Sequence, residues 1–600
     1  MIKKLKFFVV AIMAIFMFFS CSDDDELSPS KGDGTADSPY LIKNYSDLKA
    51  LADSVNAGKT YEGISLQLAN DIDLSYEATD DFESSSLQIG LSEEISVSYE
   101  NIYYDSIFYT NCFMGTFDGN NHTISGLNLN NRTSDDSYYK KNESAHTGLF
   151  PNLQDATIKN LNVNCNNVGF NMVGGIVGAC KNSEIVNCNV EGHISASLDG
   201  GGIVGHSEDS KIINCKFNGS IILEKLNHET YSVNWPYGLN AGGIAGRTEN
   251  SSINDCKTSG QINNGDSDLG GICGGASHSE VLNCESTMDI TGSWSIGGIC
   301  GRFNDEFSEM SRYSEQGIVG CLYTGKLTGE AHIGGISGVI NCTSLSDCES
   351  NVEITYRNTN LNRETYNFGG LIGMSDNTEL FNSISNGTII GTDNCGGLIG
   401  AAKSASVENC HAYVDVQGNQ YIGGIVGQVG ATNNVHPSSF TKCSSTSTII
   451  GQYYTGGFSG GISSIHPIAK YQQCFTNTTV QGGEYTGGFT AYACDTIIDC
   501  YAHGDVSGGA NTGGFAGKSS SGSIHYIKNC YSVGESGNNG FTDSEINLFS
   551  CYWEQNSSGS QSSTLIRTQA QMKTQSTYTG WDFNNIWEMG NSGYPELRGI

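Results

Sequence analysis

The chain has 600 residues and a formal charge of −33, from 63 acidic and 30 basic side chains. That balance argues against nucleic acid and anionic membrane surfaces as partners. The length exceeds an ordinary single globular domain but sets no ceiling for a solenoid, and 77 glycines against 7 prolines point away from a helical protein.

Residues 1–20 have the layout of a signal peptide. Lys3, Lys4 and Lys6 form the charged start, and Phe7 to Phe19 form an apolar core too short to span a bilayer as a helix. The core runs into Ser20-Cys21, which resembles a bacterial lipobox, and the resemblance implies that Cys21 is the lipidated first residue of the mature protein. Residues 21–34 continue with Ser22-Asp23-Asp24-Asp25-Glu26 and a Ser/Pro/Gly tether. The acidic run resembles the surface-export signal of Bacteroidetes lipoproteins. It implies an outer-membrane protein, held in the lipid by its N-terminus and facing the medium.

Residues 35–146 are expected to form an N-terminal α/β cap with the first coils. Tyr40-Leu41-Ile42 starts a strand. Ser46 is the expected N-cap of a helix in which Leu48, Leu51, Ala52 and Val55 share a face, and Gly58 ends it. Ile64 to Leu68 and Ile72 to Leu74 read as strands, and 77–111 as an insertion.

Residues 147–550 repeat one phrase. A glycine doublet followed by an apolar residue begins at 174, 201, 242, 270, 297, 334, 369, 396, 423, 456, 487 and 513, with a base period of about 27 residues. A cysteine follows by 14 residues at Cys188, Cys215, Cys256, Cys284, Cys348 and Cys410, and the later units carry Cys443, Cys474, Cys500, Cys530 and Cys551. The same count reaches Ser383 and Leu161 in two units, so the position accepts Cys, Ser or Leu. Short apolar–polar alternations closed by Gly or Asn predict two or three short strands per repeat, which must stack on their neighbours to bury an apolar face. The fold class is therefore all-β: a right-handed parallel β-helix of about 27-residue coils, spaced about 4.8 Å apart. Insertions at 225–240, 303–316, 354–367 and 429–439 should leave the rod at one or two corners.

GGIVG, GGIAG, GGISG, GGLIG and GGFAG, each followed by a strand ending in Asn-Cys or a near relative, resemble the GLUG repeat of bacterial surface and secreted proteins. The resemblance covers about 147–551 and implies a β-helical scaffold; it marks architecture, not an activity. The phrase from Phe113 to Asn120 with His122 to Leu127 resembles the first coil of such proteins. Residues 551–600, with Trp553, Trp581, Phe583, Trp587 and Tyr594, resemble their usual ending and read as an aromatic cap over the last coil.

Most of the 21 cysteines fall on the repeating position, without Cys-x-x-Cys or zinc spacing, so no metal or cofactor is expected. Ladder side chains in register point the same way, which favours buried free thiols over disulfides. Cys342 and Cys348 are one place where a bridge could form.

No catalytic constellation stands out. His228-Glu229 begins a zinc-peptidase phrase, but Ser232 stands where its second histidine should be. Asp495, Asp499 and Asp505 lie close in sequence and read as solvated strand-edge acids. Ahead of the doublets stand Trp294, Tyr366, Tyr421, Tyr454 and Tyr485, which stacking would align as an aromatic stripe along one corner, competing with plain packing around turns. The sequence thus predicts a non-enzymatic binding or structural protein, adhesin-like, with a glycan or a host or bacterial surface protein as ligand. The alternative is a carbohydrate-active β-helical lyase or hydrolase, and a passive spacer is the third reading.

Overall fold

The computed structural model describes residues 32–75, 87–91, 111–131, 146–224, 239–304, 317–357, 366–430, 437–462, 469–493, 496–519, 526–536, 540–542, 547–555 and 565–600. Cys21, the Ser22–Glu26 run, the His228 phrase, Asp495 and most of the four insertions lie outside them.

One coil shows the architecture. Asn171–Gly174 belongs to sheet I, Val177–Lys181 to sheet II, Glu184–Val186 to sheet III and Asn189–Ala196 to sheet IV. Each strand pairs in parallel with its counterpart in the coils before and after: Ile185 with Ile158 and Ile212, and Val190 with Val163 and Phe217. Among the described residues sheet III has 17 strands and sheets I and II have 13 each. The chain is a parallel β-helix with four strands per coil. The count exceeds the two or three expected because the glycine phrase is itself two strands joined at a bend.

That bend explains the glycines. Neither Gly201 nor Gly202 has a positive φ. A Cβ on Gly201 would lie 1.8 Å from the Val204 carbonyl oxygen, and one on Gly202 would lie 2.1 Å from the Gly243 oxygen in the next coil and 2.3 Å from the Phe217 ring. The doublet exists because nothing larger fits.

The Asn-Cys phrase has a different cause. Sheet III is flanked by two corners, and at each a residue, most often Asn or Asp, takes the left-handed conformation, as at Asn182 (φ 47) and Asn187 (φ 55). These residue types tolerate that region better than others. The next residue turns inward and serves the corner's backbone. The Cys215 amide donates to the Cys256 sulfur at 3.4 Å, and the Cys256 thiol donates to the carbonyls of Asn254 (3.3 Å) and Ile212 (3.7 Å). Ser383 does the same with a hydroxyl, taking the Cys348 amide at 3.1 Å. Leu161 supplies packing only. At the opposite corner serines repeat the device: the Ser183 amide donates to Ser210, and the Ser210 amide to Ser251, each at 3.0 Å.

Among the described residues the cysteines form no disulfide. Cys342 and Cys348 do not bridge, because the strand Ser344–Ser346 separates them onto the two corners of sheet III. Burial pushes the ladder thiols of Cys348, Cys410 and Cys443 upward, and raises Cys165 and Cys180 to about 12. The unfolded chain ionises these two from about pH 9, whereas the folded chain keeps their protons. Their stabilising contribution is therefore complete below pH 9 and is lost as pH rises toward 12, by about 1.4 kcal/mol per thiol per pH unit within that window. Urea midpoints should fall from pH 9 to pH 11, and Cys180→Ala should flatten the slope. An unchanged midpoint over that range would refute the account.

The N-terminal helix α1 spans Tyr45–Asn56 and buries Leu48, Leu51, Ala52 and Val55, as the pattern predicts. Its N-cap is Asn44, not Ser46: Asn44 is extended and its side-chain oxygen accepts from the Asp47 amide at 3.1 Å. Asp47 in turn accepts from the Lys43 amide. The described strands on either side of 225–240 and 354–367 belong to sheets IV and I, and those on either side of 303–316 and 429–439 to sheets II and III.

The C-terminal aromatics lie elsewhere than expected. Trp553 joins the interior core, but Tyr578, Trp581, Trp587 and Tyr594 form a second core with Tyr501, Tyr531 and Tyr552. Those three tyrosines occupy the outward column of sheet IV that carries Lys216, Lys257 and Glu285 in earlier coils. The aromatics therefore clad the flank of the last coils, because the outward column turns apolar there. No helix among the described residues is long and apolar enough to cross a membrane.

Candidate functional site

The corner from sheet IV to sheet I is closed by short turns in the later coils. Two residues suffice between Ile390 and Asp393 (Gly391-Thr392), between Gln417 and Gln420 (Gly418-Asn419), and between Ile450 and Tyr453 (Gly451-Gln452). The register aligns Tyr366, Asp393, Gln420, Tyr453 and Glu484 in one column along the rod. The next residue of each coil forms a second column, in left-handed conformation: Asn367, Asn394, Tyr421, Tyr454 and Tyr485.

The expected aromatic stripe therefore divides. Tyr421, Tyr454 and Tyr485 form one ladder, with ring centroids 4.9 Å apart at both steps and planes within 10°. Lys518 lies over the Tyr485 ring, 5.3 Å from its centroid, so the ladder's C-terminal face is occupied. Trp294 and Tyr366 belong to the other column and meet edge to face at 6.0 Å, with His332 packed against both. Burial pulls His332 down to about 4, so it is neutral near pH 7, and its Nδ1 accepts from the Asn367 side-chain amide at 2.9 Å.

Between the two aromatic groups lies one intervening coil with short side chains, Thr392, Asp393 and Asn394. The result is an open groove of about 1000 Å³, bordered by Tyr366 on one side and Tyr421 on the other. Its floor is organised by amides: Asn419 donates to the Asp393 carboxylate at 3.1 Å, and Asn394 donates to the Asn367 side-chain oxygen at 2.8 Å. Tyr356 (41% exposed) and Ile390 (44%) give the rim an apolar component. Burial pushes the Tyr421 hydroxyl upward, so it remains a protonated donor at neutral pH. A second hollow of about 480 Å³ continues along the same corner past Gln452 and Tyr453 to Glu484.

Toward the N-terminus the same corner is a packed polar seam instead. Arg302 holds Asp268 through both carboxylate oxygens at 3.0 and 3.1 Å and donates to Ser295, and Asn240 donates to the buried Asp199 at 2.7 Å. These contacts stiffen the corner.

Of the acids singled out in the sequence, Asp499 and Asp505 are described and have separate partners, and Asp495 lies outside the described residues. Asp499 is buried rather than solvated and accepts from Asn529 (2.9 Å) and the Trp587 indole (3.4 Å), whereas Asp505 accepts from the Glu535 amide. Sequence reasoning missed Asp393, Asn394, Asn419 and Gln420. The signal was the absence of an insertion between sheets IV and I in these coils.

No family model matches the chain, and no curated protein matches it. Solved structures that align with it include an IgA1 protease, at 16% identity and a TM-score of 0.26, over 63% of this chain and 21% of that one. The chain thus spans about a fifth of that protein's length. A candidate immunoglobulin A1 protease from Bacteroides ovatus aligns at 14% identity and a TM-score of 0.22 over 95% of both chains. Tailspike protein 3 of bacteriophage CBA120 aligns at 10% and 0.22, over 76% of this chain and 60% of that one. Likenesses this distant carry no function to this chain.

Proposed function

We propose that this chain is a non-catalytic binding protein, a GLUG-type β-helical rod whose sheet IV–sheet I corner receives an extended glycan. The observation that carries the reading is the groove between Tyr366 and Tyr421, with aromatic walls and an amide-rich floor. Hydroxyl-rich ligands combine apolar ring faces with paired donors and acceptors, and Asn, Gln and Tyr side chains answer both. The commitment of Asp499 and Asp505 to structural contacts supports binding over hydrolysis.

The test is retention of polysaccharides and mucins, read together with release of new chain ends. Tyr421→Ala should weaken retention about 30-fold, which corresponds to about 2 kcal/mol, the scale of a buried aromatic contact in a recognition site. New chain ends would replace this reading with the lyase or hydrolase.

The same proposal places the rod at the cell surface, attached to outer-membrane lipid through Cys21. The support is the signal-like sequence of residues 1–26. Cys21→Ala should abolish incorporation of a labelled fatty acid and move the protein out of the membrane fraction. Labelling that survives the substitution would remove the anchor from the reading.

A further inference from the structure

We infer that the groove selects uncharged saccharide chains running along the rod axis and rejects polyanionic ones. The inference deepens the binding reading above and rests on it.

The argument begins with charge. Among the described residues that line the two hollows there is no lysine, arginine or histidine. The ionisable carboxyl groups are Asp393 in the first and Glu484 in the second. Recognition of uronates or sulfates calls for cationic donors, above all the guanidinium fork. Here the lining is instead the amides of Gln417, Asn419, Gln420 and Gln452, which offer both donors and acceptors to hydroxyls. Carboxylates strengthen that match, since they accept from sugar hydroxyls and repel other carboxylates. The whole chain, at −33, adds long-range repulsion of the same sign.

Geometry sets the ligand's shape. Tyr366 and Gln420 occupy one column with Asp393 between them, so the aromatic walls stand two coil rises apart, about 10 Å. That space holds one sugar ring against each wall's surface but not a folded polypeptide element. The Tyr421 face turned away from Tyr454 is the one that meets the groove, while the inner faces of the ladder cover each other. The second hollow lies on the same corner, further along the axis, which makes the path linear. The repeat of an extended pyranose chain is comparable to the coil rise, so successive sugars meet successive coils.

The experiment uses the chain carrying Cys21→Ala. Retention is measured on mixed-linkage β-glucan, xylan and galactomannan, and on polygalacturonate and heparin, at low and moderate salt. The expected result is retention by at least one neutral polymer, weakened at least tenfold by Tyr421→Ala, and none by either polyanion. Gln420→Lys, in the groove lining, should create salt-sensitive retention of polygalacturonate. Wild-type retention of a polyanion that equals the neutral polymers and depends on Tyr421 would overturn the selectivity while leaving the binding reading intact. Retention indifferent to Tyr421→Ala, or no retention of any polymer, would overturn both.

Discussion

Gly202→Ala is expected to destabilise the coils around it by about 3 kcal/mol or more, the upper range for overpacking a well-filled interior. Considerations of chain entropy alone give the opposite sign. Gly202 has an ordinary φ, and Ala at such a position restricts the unfolded chain and commonly stabilises by about 0.4–1 kcal/mol. Space decides the matter. The added methyl would sit 2.1 Å from the Gly243 carbonyl oxygen and 2.3 Å from the Phe217 ring, and the first of these is backbone held in a neighbouring coil. Gly275→Ala is the control. Its Cβ would meet no backbone, only the Asn240 side chain, 2.8 Å from the Oδ1 atom, so the strain falls on one side chain and its bond to Asp199 rather than on a neighbouring coil. Because each coil contacts only its neighbours, the loss should be local. Hydrogen exchange should therefore quicken between about 174 and 284 and stay unchanged in distant coils. Equal effects of the two substitutions would remove close approach as the reason for the doublets.

That reason also explains how much of the fold could be read from the chain. The glycine doublet is legible because every coil brings its backbone against the next at the same place, so the constraint recurs with the period. The Asn-Cys phrase is legible because a left-handed corner and an inward hydrogen-bonding side chain are needed together, as at Asn187 and Cys188. Ser383 fits the same rule, since a hydroxyl accepts the Cys348 amide as a thiol does. The four-strand coil was not legible, because Ala241–Gly242 and similar two-residue strands leave no alternation to detect.

The site was half legible for a sharper reason. Trp294 and Tyr366 stand three residues before Gly297 and Gly369, whereas Tyr421, Tyr454 and Tyr485 stand two residues before their doublets. A one-residue shift moves a side chain to another column. The stripe thus becomes a ladder and a separate aromatic wall, and the groove is the interval between them. Its floor comes from Asp393, Asn394 and Asn419, polar residues on neighbouring coils that nothing in a linear reading brings together.

Trp587→Ala should be the most damaging single change at the C-terminal end, at about 3–5 kcal/mol for loss of a fully buried large aromatic. Trp587 has no exposed surface and lies 4.4 Å from the Trp581 ring centre and 6.2 Å from those of Tyr501 and Tyr531. It also donates its indole N–H to Asp499, which is buried at the corner just before ladder residue Cys500. Removing the ring opens a cavity against sheet IV and takes a donor from a buried carboxylate that keeps Asn529. Trp587→Phe separates the two effects. It retains most of the packing and loses only the indole donor, a cost of about 1–3 kcal/mol for a group left without one partner. The expected order of stability is wild type, then Phe, then Ala, with protease cleavage appearing first in the segment after 565. If Ala and Phe were equally damaging, the Asp499 contact would outweigh the packing, and the C-terminal segment would be held chiefly by that corner hydrogen bond. If neither mattered, the tyrosine column Tyr501, Tyr531 and Tyr552 would be stable exposed to water, and the physical reason for the segment to fold back onto the rod would be lost.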